Sequence, residues 1–265
     1  MRQHLISKVL LRRFTSSAAG NLLRSFDLQY GNARLRHPSA VAWRDNFVAH
    51  DPLAIEAMWQ ETENRLTTAL DAAEAGAVFE SDATAETLKE TIALHFMRRD
   101  LVKDSFETNL ARAREGVAAP RDFPGDPDVF RTVVQARLDE AAASTFAENI
   151  RSLSARAKQR ALSGHLEVGH SALPLLIGDG AVLSVRRDGG TGFIPFSDAS
   201  THVLPVGRHH LIALAPHDNT FELPEDWART LNEQHIVQAD RHVFFHPDDD
   251  LEPFVRAVRR RLSRM

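Results

Sequence analysis

The stretch Ala161-Leu162-Ser163-Gly164-His165-Leu166-Glu167-Val168-Gly169-His170-Ser171 is where the chain changes period. Before Gly164 the apolar residues recur at helical spacing, and from His165 they alternate with polar ones as in a half-buried strand. A Ser-Gly pair is a natural helix stop. Helices on one side of this point and short strands on the other give the segregated pattern of an α+β fold.

Working upstream, a long helix over about 128–162 runs through Val133, Leu138, Ala142, Phe146, Ile150 and Leu153. Pro120 and the cluster Phe123-Pro124-Gly125-Asp126-Pro127 precede it as a loop. A second helix starts near Thr84 and carries Leu88, Ile92, Phe96, Val102, Phe106 and Leu110. The first, from Asp51-Pro52 to Gly76, has the stripe Ile55, Trp59, Thr62, Leu66, Leu70 and Ala73. Residues 22–28 and 33–36 flank Tyr30-Gly31-Asn32 as a β-hairpin.

Downstream, Leu173–Ile177, Ala181–Val185, Thr201–Pro205, His210–Ala215 and Val243–His246 read as strands, with a hairpin turn at Asp188-Gly189-Gly190. Leu231–Ala239 reads as a helix and Pro253–Arg264 as a terminal basic one. The expected architecture is one α+β unit over 1–265, with sub-parts 1–50, 51–163 and 164–265. Its N-terminal hairpin joins a small C-terminal mixed sheet packed on a bundle of three long helices.

The chain has 265 residues, 43% apolar and 26% charged, which excludes disordered and collagen-like classes. It has no cysteine, so disulfides, thiolate nucleophiles, zinc ribbons and iron–sulfur ligation are excluded together. No run approaches the ~18 apolar residues of a membrane span, and a soluble cytoplasmic protein is expected. Residues 1–44 hold eight Lys/Arg against one acid, 45–251 nineteen against thirty-four, and 252–265 five arginines against Glu252. Basic ends around an acidic middle suggest a nucleic acid or other anionic ligand at the ends, or solvated basic faces offset by acidic helices. The first twenty residues are basic and serine-rich like a transit peptide. The near-helical spacing of Leu5, Ile6, Val9, Leu10, Leu11 and Phe14 instead makes them part of the folded structure.

His4–Phe14, the Glu56 to Glu63 spacing, Leu94-His95-Phe96-Met97-Arg98 and Leu176-Ile177-Gly178-Asp179-Gly180-Ala181-Val182 resemble the bacterial proteins catalogued as domain of unknown function 4238. Leu204-Pro205 with His210–Ala213 is similar to a later segment of that family, and the likeness runs from about His4 to Val255. The resemblance implies a set of positions and no activity. Ala181 stands where the family often has proline, which implies a looser turn.

Several of these positions bear chemistry. A neutral His4 beside Lys8, Arg12 and Arg13 has the character of a base near neutral pH, or anchors a strand or helix start. Glu56 and Glu63 fall about 20° apart on a helix, able to bind a cation together or to hold Arg98 or Arg99 between them. His95, Arg98 and Arg99 interrupt or border a buried stripe, so they form either an internal network or the floor of a site. Asp179 follows a strand between two glycines, a position used by metal ligands, catalytic groups and ordinary turns alike. His242 and His246 lie about 13 Å apart along a strand, too far for one metal. No phosphate loop, G-x-S-x-G or H-E-x-x-H is present.

Two functional classes follow. The first is a non-catalytic binding or regulatory module, with an anionic ligand or a protein partner contacting the terminal helix through Arg256, Arg259, Arg260, Arg261 and Arg264. The second is a metal-assisted phosphodiester hydrolase, nuclease-like. It would use His4, Glu63, His95 and Asp179 in catalysis, Lys8, Arg12, Arg98 and Arg99 for substrate, and Glu56, Glu63 and Asp179 for Mg²⁺ or Mn²⁺.

Overall fold

A computed structural model describes residues 1–115, 126–185 and 196–264. The chain opens with β1 (Arg2–His4) and the short helix α1 (Lys8–Arg12), followed by the hairpin β2 (Leu23–Asp27) and β3 (Asn32–Arg36). The hairpin turn needs Gly31, whose φ is +68°. A strand too short for any sequence period, β4 (Trp43–Asp45), pairs antiparallel with β1 and sets His4 opposite Trp43.

Helix α2 (Pro52–Glu74) follows, with all six residues of the expected stripe buried. The second expected helix is in fact two, α3 (Asp82–Met97) and α4 (Asp100–Glu115), so the bundle is not one of three long helices. The apolar spacing continues across the break, which has no Gly or Pro. At the break stand Arg98 and Arg99, both buried. Helix α5 (Pro127–Leu162) is as long as expected, but its apolar stripe takes hold only from Ala142, Phe146 and Ile150; Val133 and Leu153 are exposed.

Beyond Gly164 come β5 (His165–Ser171), β6 (Ile177–Gly178), β7 (Leu183–Val185), β8 (Thr201–Pro205), β9 (His210–Ala215) and β10 (Asn219–Leu223). Then follow α6 (Glu225–Gln238), β11 (His242–Phe245) and α7 (Glu252–Leu262). The expected loop at 120–125 and the turn at 188–190 lie outside the described residues.

Two larger sheets result. The hairpin joins β11 and β6 in the order β3-β2-β11-β6, while β10-β5-β9-β8-β7 form a separate mixed sheet in which β10 runs parallel to β5. The N-terminal hairpin does pair with C-terminal strands, but in a sheet distinct from the mixed one. Helix α3 lies between the bundle and the mixed sheet, touching α2, α5, β5, β8 and β9. Nearly every residue from Thr87 to Met97 is therefore buried, polar ones included. A helix enclosed on all sides must satisfy its polar groups internally. A smaller core of Phe26, Leu176, Ile236, Val243, Phe245, Val255 and Val258 lies under α6 and α7. Among the described residues no helix is long and apolar enough to cross a membrane.

Candidate functional site

His95 sits in the enclosed part of α3. Its Nδ1 lies 2.8 Å from the Thr91 carbonyl and its Nε2 accepts the Ser7 N–H at 3.1 Å. These two partners fix a neutral ring with the proton on Nδ1. Burial, and then the Arg98 charge, push its pKa down to about 4. Ser7 precedes α1, and its hydroxyl donates to Glu63 Oε1 at 2.6 Å. The same oxygen receives the guanidinium of Arg98. Arg98, 2% exposed, lies over the Trp59 ring with its Cζ 4.4 Å from the centroid. Burial raises the Glu63 pKa, but Arg98 and Ser7 outweigh it, and the carboxyl stays below its usual range.

At the outer edge of this network stand His4, Lys8 and Glu56. His4 ends β1 with Nε2 3.4 Å from the Ser39 carbonyl. Burial first, then Lys8, hold its pKa below the ordinary imidazole value, and Arg98 and Glu63 also act on it. Glu56 shares the face of α2 with Glu63; burial raises its pKa, with Arg98 opposing and Glu63 adding to the rise. Gln3 anchors the strand by accepting the Val48 N–H at 2.7 Å. Lys8 and Arg12 are exposed. The structure thus brings together His4, Lys8, Glu56, Glu63, His95 and Arg98.

Asp179 and Arg99 belong to another place. Asp179 accepts three backbone N–H groups, from Asp240 at 2.8 Å, Arg241 at 2.9 Å and His242 at 2.7 Å. It buckles the turn between α6 and β11 to the end of β6. Burial pushes its pKa up against the pull of those three bonds. Arg99 lies on this side, near Asp240 and Asp179 by charge. Among the described residues no three His, Asp or Glu side chains gather where a metal ion could sit; Glu56 and Glu63 are on α2 and Asp179 is at the β6 turn.

With this arrangement established, residues 2–249 match the family model described as protein of unknown function, DUF4238. The chain belongs to the DUF4238 family. The comparisons with curated proteins and with solved structures find no match. In this DUF4238 chain the turn after Asp179 is tight rather than loose. Ala181 takes φ +49°, which a proline ring forbids, and its N–H reaches the Gly178 carbonyl at 2.8 Å.

The basic terminal helix is largely turned inward. Arg256 binds Glu252 and the Gly31 carbonyl, Arg259 binds the carbonyls of Leu28 and Gln29, and Arg261 pairs with Glu233. The Arg256 and Arg259 bonds to these carbonyls fasten α7 over the β2–β3 turn, and the Arg261–Glu233 pair ties it to α6. Arg260 and Arg264 are exposed and make no ion pair among the described residues.

Sequence reasoning did not single out three polar residues that organise the fold. Ser7 carried a signal, a serine just before an apolar helical run. Glu90, 5% exposed and paired with Arg65 and Lys158, stood out as an acid in a buried helix. Asn232 accepts the Leu176 N–H at 2.9 Å and donates to the Pro174 carbonyl at 3.0 Å. It had no such mark, because a polar residue in α6 looks solvent-facing until β6 is placed beside it.

Proposed function

We propose that this protein is a non-catalytic binding or regulatory module of the bacterial cytoplasm, acting as one α+β unit and recognising an anionic or protein partner. The observation that supports this reading is the commitment of His95, Glu63 and Asp179 to the chain itself. Both ring nitrogens of His95, the Oε1 of Glu63 and both oxygens of Asp179 already serve other groups. A general base or metal ligand needs a lone pair free to meet substrate or ion. Thermal unfolding with and without Mg²⁺ and Mn²⁺ tests the reading on the wild type, His4→Ala, Glu63→Ala and Asp179→Ala. No metal-dependent shift is expected, with the two carboxylate variants unfolding earlier. A bound ion at ~100 times its dissociation constant adds about 2.7 kcal/mol. A rise of that size in the wild type, lost in folded variants, refutes the reading.

A metal-assisted phosphodiester hydrolase is the second reading, and His4 favours it. Burial and then Lys8 lower the pKa of this half-buried imidazole, and Arg98 and Glu63 lie in electrostatic reach. That reading also requires Asp179, which lies at the β6 turn. Cleavage of a labelled oligonucleotide in Mg²⁺ or Mn²⁺, lost in His4→Ala, is its signature.

A further inference from the structure

We propose that Arg99 and His235 form the floor of a binding site for a small carboxylate, in the crease between the α3–α4 break and the Gly178–Gly180 turn. The proposal deepens the binding reading and rests on it for its biological meaning.

Arg99 is only 7% exposed, yet among the described residues its guanidinium has no hydrogen bond and no ion pair, only the Phe96 ring with its centroid 5.8 Å from Cζ. Its Nε is buried without an acceptor. Asp240 and Asp179 act on it only at a distance, and the oxygens of Asp179 are engaged by three N–H groups. Its neighbour Arg98, whose Nε is also buried without an acceptor, has a carboxylate and a hydroxyl on its terminal nitrogen, and it is these that Arg99 lacks. A buried cation without such partners is costly, and an anion relieves the cost.

His235 adds an independent observation. On α6 and 1% exposed, it accepts the Gly178 N–H at Nδ1, 3.2 Å away. The proton of the neutral ring therefore sits on Nε2, and Nε2 is buried with no acceptor. Arg99 is the charge that acts on this ring. Two buried N–H donors in one neighbourhood, one of them cationic, both lack an acceptor.

Gly180 places them. A Cβ built there would lie 3.6 Å from Arg99 Nε and 3.8 Å from the Gln238 carbonyl, so the guanidinium borders the backbone of the half-buried Asp179–Gly180 turn. A ligand there meets the fork of Arg99, a geometry suited to a planar carboxylate. The charges of Asp179 and Asp240, which reach Arg99, repel a dianion more than a monoanion, which favours carboxylate over phosphate.

The test is thermal unfolding of the full chain in sodium acetate, phosphate and chloride at matched ionic strength, for the wild type, Arg99→Met, Arg99→Lys and His235→Phe. Acetate is expected to raise the wild-type midpoint by about 2 °C or more over chloride. The rise should vanish in Arg99→Met and shrink in Arg99→Lys and His235→Phe. Without acetate, Arg99→Met should unfold no earlier than the wild type, because it removes an unmatched buried charge. Failure of Arg99→Met to fold, or a lowered midpoint with no acetate effect in the wild type, overturns the site. A shift with phosphate alone overturns the carboxylate assignment. Oligonucleotide cleavage measured on the same proteins separates the two claims. Turnover retained by Arg99→Met defeats the binding reading and leaves the site standing, whereas no acetate response without turnover defeats only the site.

Discussion

Replacing Glu63 by leucine removes the carboxylate that holds Arg98 and accepts the Ser7 hydroxyl, and leaves a guanidinium 2% exposed with only the Ser7 hydroxyl and the Trp59 face beside it. Breaking a buried ion pair from one side costs about 3–5 kcal/mol. Glu63 is 26% exposed, which places the loss near the lower end, about 3 kcal/mol. At roughly 2–4 °C per kcal/mol, the midpoint should fall by about 6–12 °C. Adding Arg98→Met removes the stranded charge, so the double variant should return to within about 1 kcal/mol of the wild type. Urea unfolding followed by far-ultraviolet circular dichroism measures both. If Glu63→Leu alone costs less than about 1 kcal/mol, or the double variant is worse than the single, the pair is not the structural link described here.

Acid should destabilise the protein well above the carboxylate range. An unfolded histidine takes a proton near pH 6.5, while burial holds folded His95 and His202 neutral down to about 4 and His235 to about 3. Between these limits the unfolded chain binds more protons, so stability present above about pH 6.5 is lost as pH falls towards 4. Each histidine contributes up to about 1.4 kcal/mol per pH unit. Asp240, raised to about 6 by burial and then Asp179, works in the opposite direction, as do Glu56 and Asp179, but His4, His210 and His242, whose pKa values burial also lowers, act with the three histidines. Unfolding midpoints at successive pH values check this, and a flat profile between 6.5 and 4.5 would contradict it. Asp179→Ala should cost at least about 3 kcal/mol by orphaning three N–H groups, measured by urea unfolding, with Asp179→Asn recovering part of it. Arg259→Ala should loosen the β2–β3 turn, seen as faster amide exchange at 29–31, whereas Arg260→Glu should leave both turn and stability unchanged.

Periodicity was enough to locate the long elements, because α2 and the C-terminal half of α5 bury one continuous stripe. It misjudged the break at Arg98-Arg99 for a physical reason. The spacing of Phe96, Val102 and Phe106 suits a continuous helix, while Arg98 at the break is held by Glu63 and Ser7, far along the chain. Strands β1 and β4, three residues each, are too short for any period to register. The grouping of Glu56, Glu63, His95 and Arg98 was legible, since a buried polar residue demands a partner and α2 was the nearest source, whereas His4 was tied to Glu63 only through the hydrolase reading. The separation of Asp179 was not, because it depends on the α6–β11 turn returning three backbone N–H groups to it. The terminal arginines likewise read as a free basic face until the hairpin carbonyls beneath α7 are in place.

On the proposed reading these histidines and carboxylates support a binding fold rather than perform chemistry. The decisive experiment incubates the purified 265-residue protein, with His4→Ala and Glu63→Gln alongside, with labelled single- and double-stranded DNA and RNA in Mg²⁺ and in Mn²⁺. No cleavage above background is expected in any of the three proteins. Metal-dependent cleavage by the wild type that both folded variants lose would contradict it.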